Sequence, residues 1–232
     1  MCEKKVAVNV DVQTRILARN DEAALHNHEH FLERGIFAIN VMGSPGSGKT
    51  AVLEATARVF PQPSKLAALA GDLATDNDAA RLRRAGLRSR AIETGQACHL
   101  DAEMVHHELH HFDLIGVETF FIENVGNLVC PAVYDLGQSA NVVVLSITEG
   151  EDKPLKYPTM FAKADLVLLT KMDLLPHLPL VRVPVILDAL ARVMPNPRVI
   201  ALSPASGDGI AEWLRWLEGA RTATLAACEV TA

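Results

Sequence analysis

The stretch Gly43-Ser-Pro-Gly-Ser-Gly-Lys-Thr50 decides the fold, because it contains every residue of a phosphate-binding loop. An apolar run at 36–42 precedes it and a helix-like segment at 51–59 follows, which is the context that the motif requires. Glycines allow the backbone to fold around phosphates, and N–H groups at a helix N-terminus bind the anion. The alternative is a glycine-rich turn without a ligand. The predicted phosphate-binding residues are Gly43, Ser44, Pro45, Gly46, Ser47, Gly48, Lys49 and Thr50.

Length and composition limit the class of protein. The chain has 232 residues, of which 49% are hydrophobic, and this is enough for one α/β domain with a sizeable core. Its net charge of −6 argues against a nucleic-acid partner, which requires a basic face. No apolar run approaches the roughly 20 residues of a membrane span, and the N-terminus lacks a signal-peptide core. We therefore expect a soluble, cytoplasmic protein without a membrane partner.

Apolar segments alternate with helix-prone ones, which predicts an α/β fold of three layers: a mostly parallel sheet of about seven strands with helices on both faces. A charged, helix-prone segment at 12–34 precedes the first strand. The predicted strands are 36–42, 65–71, 89–94, 118–123, 141–147, 165–170 and 198–203. The predicted helices are 49–59, 75–85, 101–111, 155–163, 184–194 and 209–221. Ligands of such sheets bind at the carboxyl ends of the strands.

The sequence Thr170-Lys-Met-Asp173 at a predicted strand end indicates guanine recognition. The Asp173 carboxylate can accept hydrogen bonds from N1–H and from the exocyclic amino group of guanine, a pair that adenine does not offer. Lys171 would lay its aliphatic stem over the base. The alternative is an ordinary surface Lys-Met-Asp triplet. The next predicted strand ends in a loop that could close the far side of the base, with Ser203, Pro204 and Ala205.

Side chains at other strand ends predict a magnesium site next to the phosphate loop. Lys49 is expected to reach the β- and γ-phosphates, and the Thr50 hydroxyl is expected to ligate Mg²⁺. Glu123 ends a strand and can hold the Mg²⁺ shell, while Gly126 lets the backbone approach the γ-phosphate. Asp72, at the end of another strand, is a second candidate carboxylate.

The acidic segment at 72–78 is typical of a loop that senses a magnesium nucleotide. The alternative for Asp76 and Asp78 is that either one only caps the helix that follows.

Two of the four cysteines form part of a candidate transition-metal site. Four scattered cysteines do not make a disulfide framework, so they are more readily thiols or metal ligands. Cys98 and His99 are adjacent and can share one metal only from an irregular turn, and Cys130 follows Glu123 by seven residues. Two thiolates and an imidazole suit Zn²⁺ or Ni²⁺. A chance pairing is the alternative, but Cys130 lies on the segment that must move with the γ-phosphate at Gly126.

The run His107-Glu-Leu-His-His111 matches the H-E-x-x-H pattern of zinc metalloproteases. Helix geometry argues against that activity, because Val105, Leu109 and Phe112 form the inward stripe and both pattern histidines fall on the opposite side. A solvated helix face is expected here. The same expectation covers the spaced histidines His26, His28 and His30.

Three stretches together resemble the HypB family, the GTPases that help to deliver nickel to [NiFe]-hydrogenase. They are Ile39-Asn-Val-Met-Gly-Ser-Pro-Gly-Ser-Gly-Lys-Thr50, Glu93-Thr-Gly-Gln-Ala-Cys-His-Leu-Asp-Ala102 and Ile122-Glu-Asn-Val-Gly-Asn-Leu-Val-Cys-Pro-Ala132, and Thr148-Glu-Gly-Glu-Asp152 adds to them. The resemblance extends from about residue 12 over nearly the whole chain. The Cys-Pro-Ala sequence separates the chain from the urease GTPase UreG, whose metal motif is Cys-Pro-His.

The resemblance implies a P-loop GTPase of the SIMIBI class that dimerises when GTP binds. It divides the chain into an N-terminal helical extension at 1–34 and a GTPase domain at 35–232 with an embedded metal site. It places Ni²⁺ or Zn²⁺ on Cys98, His99 and Cys130 at the dimer interface, and it implies a hydrogenase precursor and a HypA-like nickel chaperone as partners. Asp78 would orient the attacking water, and Lys156 would contact nucleotide across the dimer.

The chain departs from the family pattern at several positions. Only Cys2 and three spaced histidines stand where many members have an N-terminal nickel-binding tract. Thr170 replaces the usual Asn and cannot span the same hydrogen bonds. This difference predicts weaker guanine binding. Glu103 stands where relatives often have His, so the outer shell of the metal site is expected to differ. Hydrolysis is expected to be slow, because no evident catalytic Gln or arginine finger accompanies the loop.

Three alternatives to a nickel-delivering GTPase of hydrogenase maturation stay open at this point. One is a zinc-stapled dimeric nucleotide-binding module without a delivery role. Another is a nickel GTPase of the urease type. The third is an ATP-dependent P-loop kinase, against which the Thr-Lys-Met-Asp sequence argues.

Overall fold

The computed structural model describes residues 2–72, 75–95 and 97–231, and the side chains of residues 15–72, 75–95 and 97–228. The described residues do not include Leu73 and Ala74 of the acidic segment or Gln96, which is two residues before Cys98. The side chain of Cys2 also lies outside them. The strands are β1 (Phe37–Gly43), β2 (Leu66–Asp72), β3 (Arg88–Glu93), β4 (Thr119–Glu123), β5 (Ala140–Ser146), β6 (Leu166–Thr170) and β7 (Val199–Ala201). The helices are α1 (Cys2–Glu33), α2 (Lys49–Val59), α3 (Asn77–Arg84), α4 (Ala102–Leu109), α5 (Lys153–Lys156), α6 (Pro158–Ala162), α7 (Val183–Val193) and α8 (Ile210–Thr231).

The strands form one sheet in the order β3-β2-β4-β1-β5-β6-β7, and every pair is parallel. This confirms the predicted α/β class with seven strands. The central strand β1 is buried at every position, with Ile39 opposite Phe121 of β4 and Ala140 of β5. Because all the strands run the same way, their carboxyl ends meet at one edge, where ligands of such sheets bind.

Helices cover both faces of the sheet, because alternate residues of the buried strands point to opposite faces. Ile39 and Val41 pack with residues of α2, α3 and α8, including the fully buried Trp213. On the other face, Ala38 packs with Phe31 of α1 and with residues of α4. Residues of α6 and α7 pack with the remaining strands on that second face.

Helix α1 is joined to the core through its last turns. Phe31 is fully buried, and its ring lies 5.3 Å from that of Phe120 in β4. Asn27 is also fully buried and donates from Nδ2 to the carbonyls of Ala102 and Leu136. The division of the chain after residue 34 stays a prediction.

The predicted single helix at 155–163 is wrong, because the structure has two short helices there. Tyr157 lies between α5 and α6 with φ −126° and ψ 53°, outside the helical region. Pro158 follows it, and proline both disfavours helical backbone in the preceding residue and lacks an N–H to donate. In the part of the chain that the structure describes, no helix is long and apolar enough to cross a membrane.

Candidate functional site

The phosphate loop connects β1 to α2 at the carboxyl edge of the sheet. Gly46 and Gly48 have φ of 73° and 102°, values that favour glycine, and Gly48 is the N-cap of α2. The Lys49 side chain folds back over the loop, with Nζ donating to the carbonyls of Gly43 at 3.4 Å and Ser44 at 3.3 Å. Burial lowers the pKa of Lys49, and the nearby Glu123 opposes that shift. The loop therefore presents helix N–H groups and a lysine whose two described hydrogen bonds both go to backbone carbonyls.

Glu123 and Thr50 form the floor of the site. The Thr50 hydroxyl donates to Glu123 Oε1 at 2.6 Å, and only 3% of Glu123 is exposed. Its second oxygen, Oε2, is buried without a hydrogen-bond partner. Burial raises the pKa of Glu123 to about 7, against the opposing effects of Thr50 and Lys49. A buried carboxylate oxygen without a partner, beside a threonine hydroxyl, fits the oxygen donors that Mg²⁺ takes.

Asp72, Asp78 and Arg81 line the cleft of about 470 Å³ that these residues share with the phosphate loop. Asp72 accepts a close hydrogen bond from the Thr75 hydroxyl. Arg81 donates to Asp78 at 3.1 Å and to both carboxylate oxygens of Glu54, at 3.2 and 2.8 Å. The hydrogen bond with Glu54 raises the pKa of Arg81.

Arg81 was not predicted from the sequence as a residue of the cleft, since no arginine finger was evident for the phosphate loop. It is three residues after Asp78, the spacing at which helical side chains meet, and that spacing was the available signal.

The residues expected to read guanine come together at the ends of β6 and β7. Ser203 Oγ donates to Asp173 Oδ1 at 2.5 Å, and Lys171 has a left-handed φ of 62°. The Thr170 hydroxyl donates to the phosphate-loop carbonyl of Ser47 at 2.6 Å. Thr170 is thus connected to the loop in spite of its short side chain, and the effect on guanine affinity stays a prediction. Pro204 and Ala205 lie in the turn that follows Ser203.

Gly126 touches the phosphate loop so closely that no larger residue fits. A Cβ on Gly126 would lie 2.8 Å from both Cα and N of Pro45. Such distances are essentially never seen for real Cβ atoms, and the atoms approached belong to the backbone. The backbone at Gly126 is therefore in direct contact with the loop that is expected to hold the phosphates.

The structure brings Cys98, His99 and Cys130 together in one cluster, the thiolate group. One ligand atom from each lies within 4.8 Å of the others, and this is the one such group of three His, Cys, Asp or Glu residues in the described part of the chain. The two sulfurs are 3.2 Å apart, and Cys98 Sγ lies 3.9 Å from His99 Nδ1. Cys98 and His99 lie in a bend before α4, the irregular geometry that adjacent ligands require, and Cys130 begins a short 3₁₀ helix.

The surroundings of the thiolate group support metal binding. Burial lowers the pKa of His99, so the imidazole stays neutral and its lone pair is available. The His99 ring stacks on Tyr134 with centroids 3.9 Å apart. The contact with the Cys98 thiol, and then burial, raises the pKa of Cys130. Metal binding to these sulfurs must therefore displace protons.

Asn127 connects the phosphate loop to the thiolate group. Its backbone N–H donates to the carbonyl of Gly43 at 3.1 Å, and its side-chain Nδ2 donates to the carbonyl of Cys98, also at 3.1 Å. Its Oδ1 accepts from the N–H of Val129, the residue before Cys130. One residue therefore holds the loop and both cysteine-bearing segments.

Lys156 and the H-E-x-x-H histidines lie outside this site. Lys156 is exposed and its Nζ pairs with Asp152 at 2.7 Å, so a contact across a dimer stays a prediction. Val105 and Leu109 are buried, as expected, while His107 is exposed and Glu108 pairs with Arg90 at 2.8 Å. The protease pattern therefore belongs to the outer face of a packed helix.

The fold and site are those of a P-loop nucleotide-binding domain. The profile of the family described as CobW/HypB/UreG, nucleotide-binding domain, matches residues 37–196. The chain is 48% identical over 216 residues to the hydrogenase maturation factor HypB of Azotobacter vinelandii, covering 93% of this chain and 71% of that protein. The chain therefore belongs to the HypB family of hydrogenase maturation factors, within the CobW/HypB/UreG class.

Solved structures agree with this assignment. HypB from Helicobacter pylori in complex with nickel superposes with a TM-score of 0.84 at 36% identity, covering 89% of this chain and 97% of that one. HypB from Archaeoglobus fulgidus gives a TM-score of 0.81 at 38% identity, covering 88% and 100%. The signal recognition particle receptor FtsY from Elizabethkingia anophelis, solved in complex with GDP, has 15% identity and a TM-score of 0.52 and shares the fold alone.

Proposed function

We propose that the chain is a GTP-hydrolysing nickel metallochaperone that acts in hydrogenase maturation, with GTP-dependent dimerisation coupled to the Cys98, His99 and Cys130 site. The observation that carries the proposal is the position of Asn127, which holds Gly43 of the phosphate loop and Cys98 of the thiolate group at once. Any shift of the loop on nucleotide exchange would act on the thiolate group through this residue.

The residues of the cleft have distinct roles in hydrolysis. Lys49 neutralises charge on the β- and γ-phosphates, for which its folded-back position over Gly43 and Ser44 is suited. Thr50, Asp72 and Glu123 would hold the Mg²⁺ shell, and the bound ion would stabilise negative charge on the phosphates. Asp78 orients the attacking water, and its bond to Arg81 fixes the carboxylate.

Guanine selection follows from the position of Asp173. Its carboxylate is held by Ser203 and is therefore oriented before the base arrives. Two donors on one edge of guanine match the two carboxylate oxygens, and adenine lacks that pair. A competition experiment between GTP and ATP separates this proposal from an ATP-dependent kinase.

Nickel or zinc as cargo fits the donor set of two sulfurs and one imidazole. The nickel complex of the Helicobacter pylori relative supports nickel. Three protein ligands leave the coordination sphere incomplete, and a second copy of the chain can complete it. Val129 and Val133, on either side of Cys130, are exposed at 57% and 42%, an apolar surface suited to such a dimer. In that dimer Lys156 would contact nucleotide of the partner, and the metal would pass to a hydrogenase precursor or a HypA-like chaperone.

The test is a nickel titration in the GDP state and in the state bound to a non-hydrolysable GTP analogue, with oligomer mass measured in parallel. We expect nickel affinity to differ between the two states by at least about fivefold, with dimer in the analogue state. Because such coupling is reciprocal, nickel should change the affinity for the analogue by the same factor. Asn127→Ala should remove the difference while each ligand still binds.

Two controls make the result specific. Asn196→Ala, at an exposed asparagine far along the chain, should leave the coupling intact. Cys130→Ala should abolish nickel binding at Cys98, His99 and Cys130, which is followed by the sulfur-to-nickel charge-transfer absorption, without affecting binding of the analogue. Equal nickel affinity in both nucleotide states of the wild-type chain would refute the coupling, and an unchanged response in Cys130→Ala would refute the assigned site.

A further inference from the structure

Four histidines meet between α1 and α4, apart from the thiolate group. His26 and His30 lie four residues apart on α1, and His106 and His110 have the same spacing around the end of α4. The rings of His106 and His110 have centroids 4.6 Å apart, and their Nε2 atoms are separated by 3.0 Å. The His26 ring lies 6.4 Å from that of His106, and the His30 ring lies 6.4 Å from that of His110.

The hydrogen bonds around Asn27 fix the proton on His106. Asn27 is fully buried, and its Nδ2 donates to two backbone carbonyls, so its Oδ1 is an acceptor. His106 Nδ1 lies 3.0 Å from that Oδ1 and must therefore carry a hydrogen. In the neutral ring, Nε2 then has the free lone pair. This is the arrangement of metal-binding histidines, which donate their other ring N–H to a fixed acceptor.

We propose that His106 and His110, with His26 and His30 of α1 completing the set, form a second metal site that takes a divalent cation with a preference for imidazole, such as Ni²⁺ or Zn²⁺. In the metal-free chain, the proton on His110 Nε2 bridges the two facing nitrogens. A cation would take the place of that proton, which would move by exchange with solvent to Nδ1 of the same ring, so that His110 stays neutral and its Nε2 lone pair is free. All-imidazole donor sets suit nickel, zinc and copper. They do not suit Mg²⁺, which prefers oxygen ligands.

The surroundings agree with ligation. His30 Nε2 is buried without a hydrogen-bond partner, so it has a lone pair or a proton to offer. His26 is exposed, and rotation of its side chain can bring the ring closer, since exposed side chains change rotamer rapidly. Burial lowers the pKa values of His30 and His106, which keeps the imidazoles neutral at pH 7.

Charges near the cluster are largely balanced. Arg34 bonds the backbone carbonyl of His30 and disfavours a cation there, but its guanidinium is 3.8 Å from Glu33. A cavity of about 890 Å³ borders His30 and His110 and gives a hydrated cation access. Its more distant basic residues, Lys65 and Arg221, are both paired with Glu118.

The same helix carries a matched control. His107 and His111 have the i, i+4 spacing and ring centroids 5.1 Å apart, but His107 lies on the outer face of α4 and His111 lies in the exposed turn that follows the helix. The described contacts give this outer pair neither a histidine from α1 nor an amide acceptor like Asn27. Any binding that depends only on two helical histidines would therefore be shared by both pairs.

The experiment counts Ni²⁺ bound per protomer by calorimetric titration of the full chain after removal of any affinity tag. Near-ultraviolet absorption separates the sites, because sulfur-to-nickel charge transfer marks the thiolate group alone. We expect Cys98→Ser/Cys130→Ser to keep one Ni²⁺ without charge transfer. Adding His106→Ala/His110→Ala should remove that Ni²⁺, whereas adding His107→Ala/His111→Ala should retain it. Binding to the imidazole site is measured without nucleotide and so does not depend on GTP hydrolysis.

A second pair of variants guards against loss of fold. His106→Gln/His110→Gln keeps polar side chains next to Asn27 but removes the imidazoles, and it should also lose the imidazole-bound Ni²⁺. His26→Ala/His30→Ala should weaken binding by roughly tenfold or more. Equal Ni²⁺ binding by the inner-pair and outer-pair variants would overturn the proposal, as would an absence of Ni²⁺ on the Cys98→Ser/Cys130→Ser chain.

Discussion

Glu123 and Cys130 are seven residues apart in the chain, yet their surroundings are opposite. Glu123 ends a strand that is buried at every position, and one of its oxygens has no partner. Cys130 is only partly buried and faces the exposed Cys98. In the proposed function, the buried carboxylate of Glu123 would hold Mg²⁺ that stays with its nucleotide. The more exposed pair of cysteines would pass nickel to another protein. Under that proposal, burial would separate retention from transfer within one short segment.

The difference has a simple origin in the fold. Strand β4 lies between β2 and β1, so its last residue is covered on both sides. After Asn127 the backbone leaves the sheet edge and enters a short 3₁₀ helix at Cys130–Ala132. Substitutions at the buried end should therefore affect stability and hydrolysis together, while those at the exposed end should affect metal binding alone. The predictions that follow test this division.

Lys49→Ala should have the largest effect. Loss of a group that stabilises charge on the transferred phosphoryl should lower GTP hydrolysis by at least about a hundredfold. The measurement is steady-state phosphate release with Mg²⁺, and Lys163→Ala, at an exposed lysine, is the control. Nickel binding without nucleotide should be unchanged. Phosphate release that persists in Lys49→Ala would contradict the assigned role, and a wild-type chain without phosphate release would favour a zinc-stapled dimer.

Glu123→Gln should change how stability depends on pH. Burial raises the pKa of Glu123 from its ordinary 4.5 to about 7, so the folded chain holds the proton more tightly than the unfolded chain. Protonation therefore favours folding, and the free energy of unfolding should fall as pH rises from 4.5 to 7. At about 1.4 kcal/mol per unit of difference in pKa, the full loss is roughly 3.5 kcal/mol.

The measurement is urea denaturation of both chains, free of metal and nucleotide, at pH 5 and pH 8. The wild-type chain should lose stability relative to Glu123→Gln between these values. Parallel curves for the two chains would contradict the buried, unpaired state of the carboxylate.

Gly126→Ala should destabilise the chain by about 1–3 kcal/mol, because the added methyl group would overlap the backbone of Pro45. GTP hydrolysis should fall as well, since the phosphate loop must shift. Gly219→Ala is the matched control, because that glycine has open space around it in α8 and alanine favours helix by roughly 0.5–1 kcal/mol. Thermal unfolding of both variants measures the difference in stability. A Gly126→Ala chain as stable as the wild-type chain would count against the close contact between Gly126 and Pro45.

The sequence predicted the parts of the molecule that depend on local pattern. The phosphate loop, the seven parallel strands and the inward stripe at Val105 and Leu109 each follow from residue types at fixed spacing. The break at Tyr157 also has a local signal, because Pro158 follows it and disfavours helical backbone in the preceding residue. Local pattern is therefore sufficient for the framework and for those ligands that stand in motifs.

Contacts between distant segments could not be predicted in the same way. His26 and His106 are 80 residues apart, and their meeting depends on how α1 packs against α4. Asn127 stands in a quoted motif, yet its two hydrogen bonds, one to Gly43 and one to Cys98, form only after β1 and β4 pair. The hydrogen bond from Thr170 to Ser47 likewise joins residues 123 positions apart and depends on the sheet that places them side by side. The proposed coupling between the phosphate loop and the cysteines would thus depend on tertiary packing.

Cys98→Ser should have the smallest effect on stability, but it should abolish nickel binding by the thiolate group. Cys98 is exposed, so the exchange of sulfur for oxygen should change the free energy of unfolding by less than about 0.5 kcal/mol. A hydroxyl is a poor ligand for nickel, and the charge-transfer absorption of the thiolate group should therefore disappear. Cys228→Ser is the control and should retain it. GTP hydrolysis should persist in both, because the phosphate end of the segment is held by β4. If Cys98→Ser instead unfolded as readily as Gly126→Ala, the thiolate group would be a structural staple, and the division between a retaining and a transferring end would fail.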